Sequence, residues 1–250
     1  MAFSTVLIMR FDVLGPLRVT GPDGPVPIPR GRTAATVCWL VANMNERVSF
    51  AGLADVLWSD PPIDAAAKAG GIVRTLQPLL GPALEVGRYA VLRLSPGDID
   101  SVRFERLLDA AFDKLDRGEH LSVEDDLVEA LRWWRGSPYP ELDRALPVMG
   151  LVDRLEELRL RAEEELGALA MRGQVDYPHV ARLRSLTIRH PDRLRFHHQL
   201  AQALYRCGRQ IEALQELAGL RARGCCDART LALSSAILQQ AAALAEGEFR

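Results

Sequence analysis

The fold is decided by residues 64–94, which read DAAAKAGGIVRTLQPLLGPALEVGRYAVLRL. Asp64 can cap a helix that runs to about Leu80. Apolar residues recur along it at helical spacing, at Ile72, Val73, Leu76, Leu79 and Leu80. Residues 85–94 then predict two strands around a Gly87-Arg88 tip. This stretch therefore predicts a helix followed by a β-hairpin.

Upstream of this stretch, short strands precede two further helices. The predicted strands are Phe11–Leu14, Leu17–Thr20 and Val26–Ile28, and the predicted helices are Thr33–Asn43 and Phe50–Trp58. Three strands, three helices and a terminal hairpin describe a winged helix-turn-helix. The best linker signal is Ser95-Pro96-Gly97-Asp98, so we expect this domain to occupy residues 1–97.

Residues 98–250 are expected to be entirely helical. Seven segments show a period of 3.6, at 104–115, 122–134, 152–172, 177–189, 193–207, 210–223 and 228–244. The run from Ala203 to Leu214 has small residues at a helix crossing and a glycine in the turn, which is typical of tetratricopeptide-like pairs. The predicted fold class is mainly α with a small α+β part.

Composition excludes several classes of protein. The chain has 250 residues, 48% of them hydrophobic and 26% charged, as in globular proteins rather than disordered ones. It has neither an apolar run of membrane-spanning length nor a convincing secretory signal, and its four cysteines are too few for a disulfide scaffold, so we expect a cytoplasmic protein. The net charge of −2 argues against indiscriminate binding of polyanions, although it allows a local basic face.

No catalytic or metal-binding motif stands out. The sequence contains no G-x-S-x-G, no H-E-x-x-H and no dinucleotide glycine fingerprint. His197 and His198 are adjacent, so they point to different faces of a helix and are interpreted as structural residues. We therefore predict no metal and no cofactor. An enzyme is the less favoured interpretation, because its site would have to be assembled from scattered residues.

The order of several short motifs resembles the Streptomyces antibiotic regulatory protein (SARP) family. The matching stretches are FDVLGPLRV at 11–19, VSF at 48–50, LW at 57–58, GRY at 87–89, DSVRF at 100–104, ALRWWRG at 130–136, LEELRLRA at 155–162, HP at 190–191 and residues 203–214. Members of this family are activators of secondary-metabolite gene clusters. They join an OmpR-like winged helix to a bacterial transcriptional activator domain. The chain shows no phosphate-binding loop, so it resembles the small two-domain form.

The resemblance implies that the helix Ala65–Leu80 reads the major groove of promoter DNA. The side chains expected to contact DNA are Arg30, Arg32, Lys68, Arg74, Thr75, Gln77, Arg88 and Arg93. Arginine can bond guanine and glutamine can bond adenine, whereas Arg30 and Arg32 would meet phosphate near the start of a helix. The implied partners are promoter DNA with direct repeats, RNA polymerase holoenzyme and a second copy of the chain. Recruitment of polymerase would raise promoter occupancy, and the protein would be associated with the nucleoid.

Several features depart from the family pattern. The predicted reading helix has no basic residue after Arg74, and residues 1–97 carry nine basic against seven acidic side chains. Gly70-Gly71 and Pro78 also lie within the helix, where they are unfavourable. Two hypotheses stay open. Either the protein binds DNA with a less basic helix and gains affinity by dimerisation, or the scaffold has lost DNA binding and binds or transforms a small metabolite or binds a partner protein.

Overall fold

The computed structural model describes residues 9–120, 122–142, 146–225 and 227–248. The chain divides into two compact units, Met1–Leu160 and Arg161–Arg250. Helices make up most of both units, and the strands of the described residues all lie in the N-terminal part of the first unit. The predicted fold class, mainly α with a small β-containing part, is confirmed.

The N-terminal part of the first unit has two small antiparallel sheets and three helices. In chain order the elements are β1 (Arg10–Asp12), β2 (Arg18–Gly21), β3 (Gly24–Val26), α1 (Arg32–Ala42), β4 (Val48–Ser49), α2 (Phe50–Leu57), α3 (Ala65–Leu80), β5 (Leu84–Val86) and β6 (Tyr89–Leu92). The first sheet has the order β1-β2-β3 and the second β4-β6-β5. Every predicted helix and strand of this part is present, with ends that differ by a few residues.

Strand β4 is the element that the sequence did not predict. It has two residues, too few for a period-2 pattern, and it pairs Val48 with Ala90 and Ser49 with Tyr89. Because α2 begins immediately after Ser49, this pairing fixes the start of α2 beside the hairpin of β5 and β6. The Ser49 hydroxyl also accepts a hydrogen bond from Gly52 N at 3.1 Å and caps α2.

Helix α3 buries Ala69, Val73 and Leu76 completely against the rest of the unit. Its two glycines differ in role. A Cβ atom on Gly70 would lie 3.2 Å from the Phe50 ring, so α2 and α3 pack closely there. A Cβ atom on Gly71 would meet nothing within 4 Å, so no contact requires a glycine at that position.

Three further helices follow: α4 (Asp100–Asp116), α5 (Val123–Arg132) and α6 (Leu146–Ala170). Helices α4 and α5 belong to the first unit, and α6 runs from the first unit into the second. Asp100 is 7% exposed, and its carboxylate accepts hydrogen bonds from Val13 N at 2.7 Å and Leu14 N at 3.1 Å. Burial raises the pKa of Asp100, although these two bonds oppose the shift. Hydrogen bonds therefore cross the domain boundary that the sequence predicts after residue 97. The boundary itself stays a prediction.

Residues 13–17 join β1 to β2 without regular structure, and most of their polar groups bond to residues beyond position 97. Arg135 N donates to Leu14 O at 2.8 Å, and Arg135 Nη1 donates to Pro16 O at 2.6 Å. Leu17 N donates to Glu141 Oε1 at 2.7 Å. Gly15 has φ +133°, and a Cβ atom there would lie 2.8 Å from Arg135 Cβ, so glycine is required.

The second unit holds the end of α6 and four more helices, α7 (Tyr177–Arg189), α8 (Leu194–Arg206), α9 (Gln210–Ala222) and α10 (Ala228–Glu248). Each of α7 to α10 packs on the next, and α10 also contacts α8, as expected when helical pairs stack. His197 and His198 are buried, and their ring nitrogens contact protein oxygens. Among the described residues, no helix is long and apolar enough to cross a membrane.

Candidate nucleic-acid interface

The exposed face of α3 carries three of the predicted DNA-contacting residues. Arg74, Thr75 and Gln77 are all exposed, on the side away from the buried Val73 and Leu76. The Thr75 hydroxyl donates a hydrogen bond to the carbonyl oxygen of Ile72 at 2.7 Å, so it is engaged by its own helix. Arg74 and Gln77 are therefore the side chains of this face that can extend to an external partner.

Arg74 is steadied by an aromatic ring of the neighbouring helix. Its guanidinium carbon lies 5.9 Å from the centroid of Phe50, at the start of α2. Lys68, in contrast, is paired with the residue that precedes α3. Its Nζ lies 2.9 Å from Asp64 Oδ1, and the hydrogen bond from Lys68 lowers the pKa of Asp64. Asp64 therefore offsets much of the positive charge that Lys68 brings to this surface.

The hairpin of β5 and β6 carries two of the predicted arginines, and only one of them is paired with a carboxylate. Arg93 donates to both carboxylate oxygens of Glu85, at 3.1 and 3.2 Å, and the hydrogen bonds from Arg93 lower the pKa of Glu85. Arg88 is exposed at the tip and has no carboxylate partner among the described residues. Arg88 is therefore a free cation, whereas Arg93 is neutralised on the same hairpin.

Arg47 is a cation of this surface that the sequence analysis missed. Its guanidinium carbon lies 4.7 Å from the centroid of the Tyr89 ring. Since Tyr89 pairs with Ser49, and Phe50 follows in the chain, the short strand β4 links Arg47 to the region of Arg74. Recognition of β4 would have been the signal, because only that pairing places Arg47 beside the hairpin.

The start of α1 carries the remaining two predicted residues, Arg30 and Arg32, which are both exposed. The guanidinium carbon of Arg32 lies 4.9 Å from the Trp58 ring centroid, just beyond the end of α2. Gly31 precedes the helix with φ 77° and offers no side-chain cap, so the first N–H groups of α1 lack that partner. This end of α1 suits an anionic group electrostatically.

Seven exposed guanidinium groups of this N-terminal part have no carboxylate partner among the described residues: Arg10, Arg18, Arg30, Arg32, Arg47, Arg74 and Arg88. The last five lie at the start of α1, before β4, on α3 and at the hairpin tip. Three of them stack on aromatic rings, which limits the conformational freedom that binding would remove. Arg74 and Arg32 lie near opposite ends of α2, whose eight residues span about 12 Å. The arrangement can hold several phosphates and present Arg74 and Gln77 to base edges.

Residues 99–247 match the family described as the bacterial transcriptional activator domain. The chain belongs to this family and is of the SARP type. It is similar to the regulatory protein AfsR of Streptomyces coelicolor, with 31% identity over 224 residues, and to the transcriptional regulator RedD of the same species, with 29% over 230 residues. These alignments cover 85% and 83% of this chain but 22% of AfsR and 62% of RedD.

The fold is shared with a solved family member. The structure of Mycobacterium tuberculosis EmbR in complex with a low-affinity phosphopeptide aligns with a TM-score of 0.81 and 28% identity. The alignment covers 94% of this chain and 66% of that one. RedD and EmbR are named as transcriptional regulators and AfsR as a regulatory protein, which agrees with the family resemblance of the sequence.

Proposed function

We propose that this protein is a sequence-specific DNA-binding activator of a secondary-metabolite gene cluster. The N-terminal part would act as a winged helix-turn-helix, with α3 in the major groove and the Gly87-Arg88 hairpin tip beside it. The observation that carries the proposal is the exposed face of α3 with Arg74 and Gln77, accompanied by unpaired arginines from α1, the approach to β4 and the hairpin.

Helix α3 carries few positive charges, and this is compatible with DNA binding because the side chains on part of its exposed face are small. Ala66 and Ala67 are exposed, and the space beyond Gly71 is open. Small side chains let a helix backbone approach a partner closely. The phosphates would then be neutralised mainly by residues outside α3, such as Arg32, Arg47 and Arg88, and α3 would contribute base contacts.

The helical part would carry the remaining roles. In this proposal it supports a homodimer on direct repeats and contacts RNA polymerase holoenzyme. Bound subunits would raise promoter occupancy through added favourable contacts with polymerase and without chemistry. Such a protein would reside in the cytoplasm, associated with the nucleoid.

A salt titration of binding to upstream promoter DNA tests the proposal, and the hairpin offers a matched pair of variants. Arg88→Ala removes an unpaired cation and should reduce the slope of log K against log salt by about 0.9 for one lost phosphate contact. Arg93→Ala removes a cation that Glu85 already neutralises, so its slope should change by much less. Equal changes for both variants would contradict the proposed interface.

Base reading is tested separately at α3. Arg74→Ala should cost about 1–3 kcal/mol on the cognate site and relax specificity at one position, whereas Arg30→Ala should weaken all sequences alike. The second hypothesis, a scaffold that has lost DNA binding, makes a different prediction. It expects no gel shift with promoter DNA together with a large thermal shift on addition of the cluster's metabolites, and that result would replace the present proposal.

A further inference from the structure

Helix α7 presents an apolar stripe on the side that faces away from the core of its unit. Tyr177 and Ile188 are 74% and 75% exposed, whereas Leu183 and Leu186 of the same helix are buried. The stripe consists of Tyr177, Ala181 and Ile188 on the exposed surface, with the buried Val180 at its base. Arg184 and Ser185 lie between its two ends. An amphipathic helix needs one apolar face to join a core. Tyr177 and Ile188 lie outside that face and stay exposed among the described residues of the unit.

The stripe forms one side of an open groove of about 480 Å³. Arg209, which precedes α9, contributes to the lining, and the exposed Ile211 lies two residues further along the chain. From Tyr177 to Ile188 the helix rises about 17 Å, which is the length of three helical turns. The groove therefore has the length and the apolar floor that a short helix needs.

The charged groups around the groove are predominantly positive. Arg184, Arg189 and Arg209 line it, and Glu212 is the carboxylate that pairs with two of them. Glu212 lies 2.9 Å from Arg184 and 2.7 Å from Arg209, and the hydrogen bonds from these groups lower its pKa, so it stays ionised. Arg189 bonds only the carbonyl oxygen of Ser185 within the described structure, at 3.4 Å.

We propose that this groove binds an acidic amphipathic helix of another protein. Apolar side chains of that helix would pack between Tyr177 and Ile188, and its carboxylates would pair with Arg189 and with the arginines held by Glu212. The excess of guanidinium over carboxylate groups selects an acidic occupant over a basic one. The site lies outside the candidate DNA interface, so it can be tested without DNA.

The probe is a fluorescein-labelled 16-residue peptide with leucines along one helical stripe and glutamate and alanine elsewhere. A matched peptide carries lysine in place of glutamate. In fluorescence anisotropy we expect the acidic peptide to bind the full chain with a Kd on the order of 10 μM, and the basic peptide to bind at least about tenfold more weakly. Equal binding of the two peptides, or no binding of the acidic one up to about 1 mM, would overturn the proposal.

Two arginines give matched protein variants, because Arg189 and Arg221 are both exposed in the last turn of a helix. Arg189→Glu should weaken binding of the acidic peptide at least about tenfold, and Arg221→Glu should leave it within about twofold. Glu212→Gln should strengthen binding, since it removes the carboxylate that competes for Arg184 and Arg209. If Arg189→Glu binds as wild type does, or if Ile188→Glu instead abolishes a dimer seen by sedimentation, the assignment to a partner helix is wrong.

Discussion

Replacement of Asp100 by alanine tests how tightly the N-terminal elements depend on α4. The substitution removes the acceptor for Val13 N and Leu14 N, two backbone donors in a buried part of the structure. It also removes the carboxylate that lies 3.6 Å from Arg135 Nη2. Each buried donor left without an acceptor costs about 1–3 kcal/mol, so the loss of both bonds should lower the free energy of unfolding by about 2–6 kcal/mol. That is a large share of the roughly 5–15 kcal/mol by which domains are stable.

Urea denaturation followed by circular dichroism measures this change, with Asp109→Ala as the control. Asp109 is exposed on the same helix, so its replacement should change the free energy of unfolding by less than about 0.5 kcal/mol. If Asp100→Ala costs no more than Asp109→Ala, residues 13–17 do not depend on the Asp100 carboxylate. The N-terminal elements would then not depend on α4 for their stability.

Three further predictions concern stability and reactivity. Gly71→Ala should raise the free energy of unfolding by about 0.5–1 kcal/mol, because its new Cβ meets nothing. Gly70→Ala should raise it less or lower it, because its Cβ would lie 3.2 Å from the Phe50 ring. Thermal unfolding of both variants measures the difference. Burial lowers the pKa of His198 below its ordinary 6.5, so the folded chain binds fewer protons there than the unfolded one and stability should fall as pH drops below 6.5. His198→Gln should flatten that decline in melting temperature, and an unchanged slope would contradict it. Cys38 is buried, and burial raises the pKa of its thiol, so it should resist iodoacetamide in the native state. The exposed Cys207 should react. Peptide mapping by mass spectrometry measures the labelling, and equal labelling of the two cysteines would contradict the burial of Cys38.

Local patterns were sufficient to predict the helices. The segment 177–189 matches α7 residue for residue, since Asp176 caps it and the apolar spacing continues to its end. The 13–17 segment is different. Phe11–Leu14 has the composition of a strand, but β1 ends at Asp12 because Val13 and Leu14 bond to Asp100, far along the chain. Such tertiary partners leave no trace in a local pattern.

The candidate interface was predicted in part for the same reason. Exposure of Arg74 and Gln77 follows from helical periodicity, so it could be derived from sequence. Glu85 faces Val91 in the hairpin, and Arg93 is its diagonal neighbour two residues further along the chain. This pair therefore depends on the exact register of the hairpin, which the sequence pattern alone does not define. Arg47 could not be placed, since its position depends on the two-residue strand β4.

The most direct test of the proposed interface is the salt dependence of promoter binding by the wild type and by the triple variant Arg32→Ala, Arg47→Ala, Arg88→Ala. If the unpaired guanidinium groups contact phosphate, the wild type should show a slope of log K against log salt of about −3 to −5. In the triple variant the magnitude of this slope should be smaller by about 2 to 3. A control that combines Lys68→Ala with Arg93→Ala, the two paired cations, should keep most of the slope. A wild type that binds no DNA at about 50 mM salt, or a triple variant with the wild-type slope, would contradict the account.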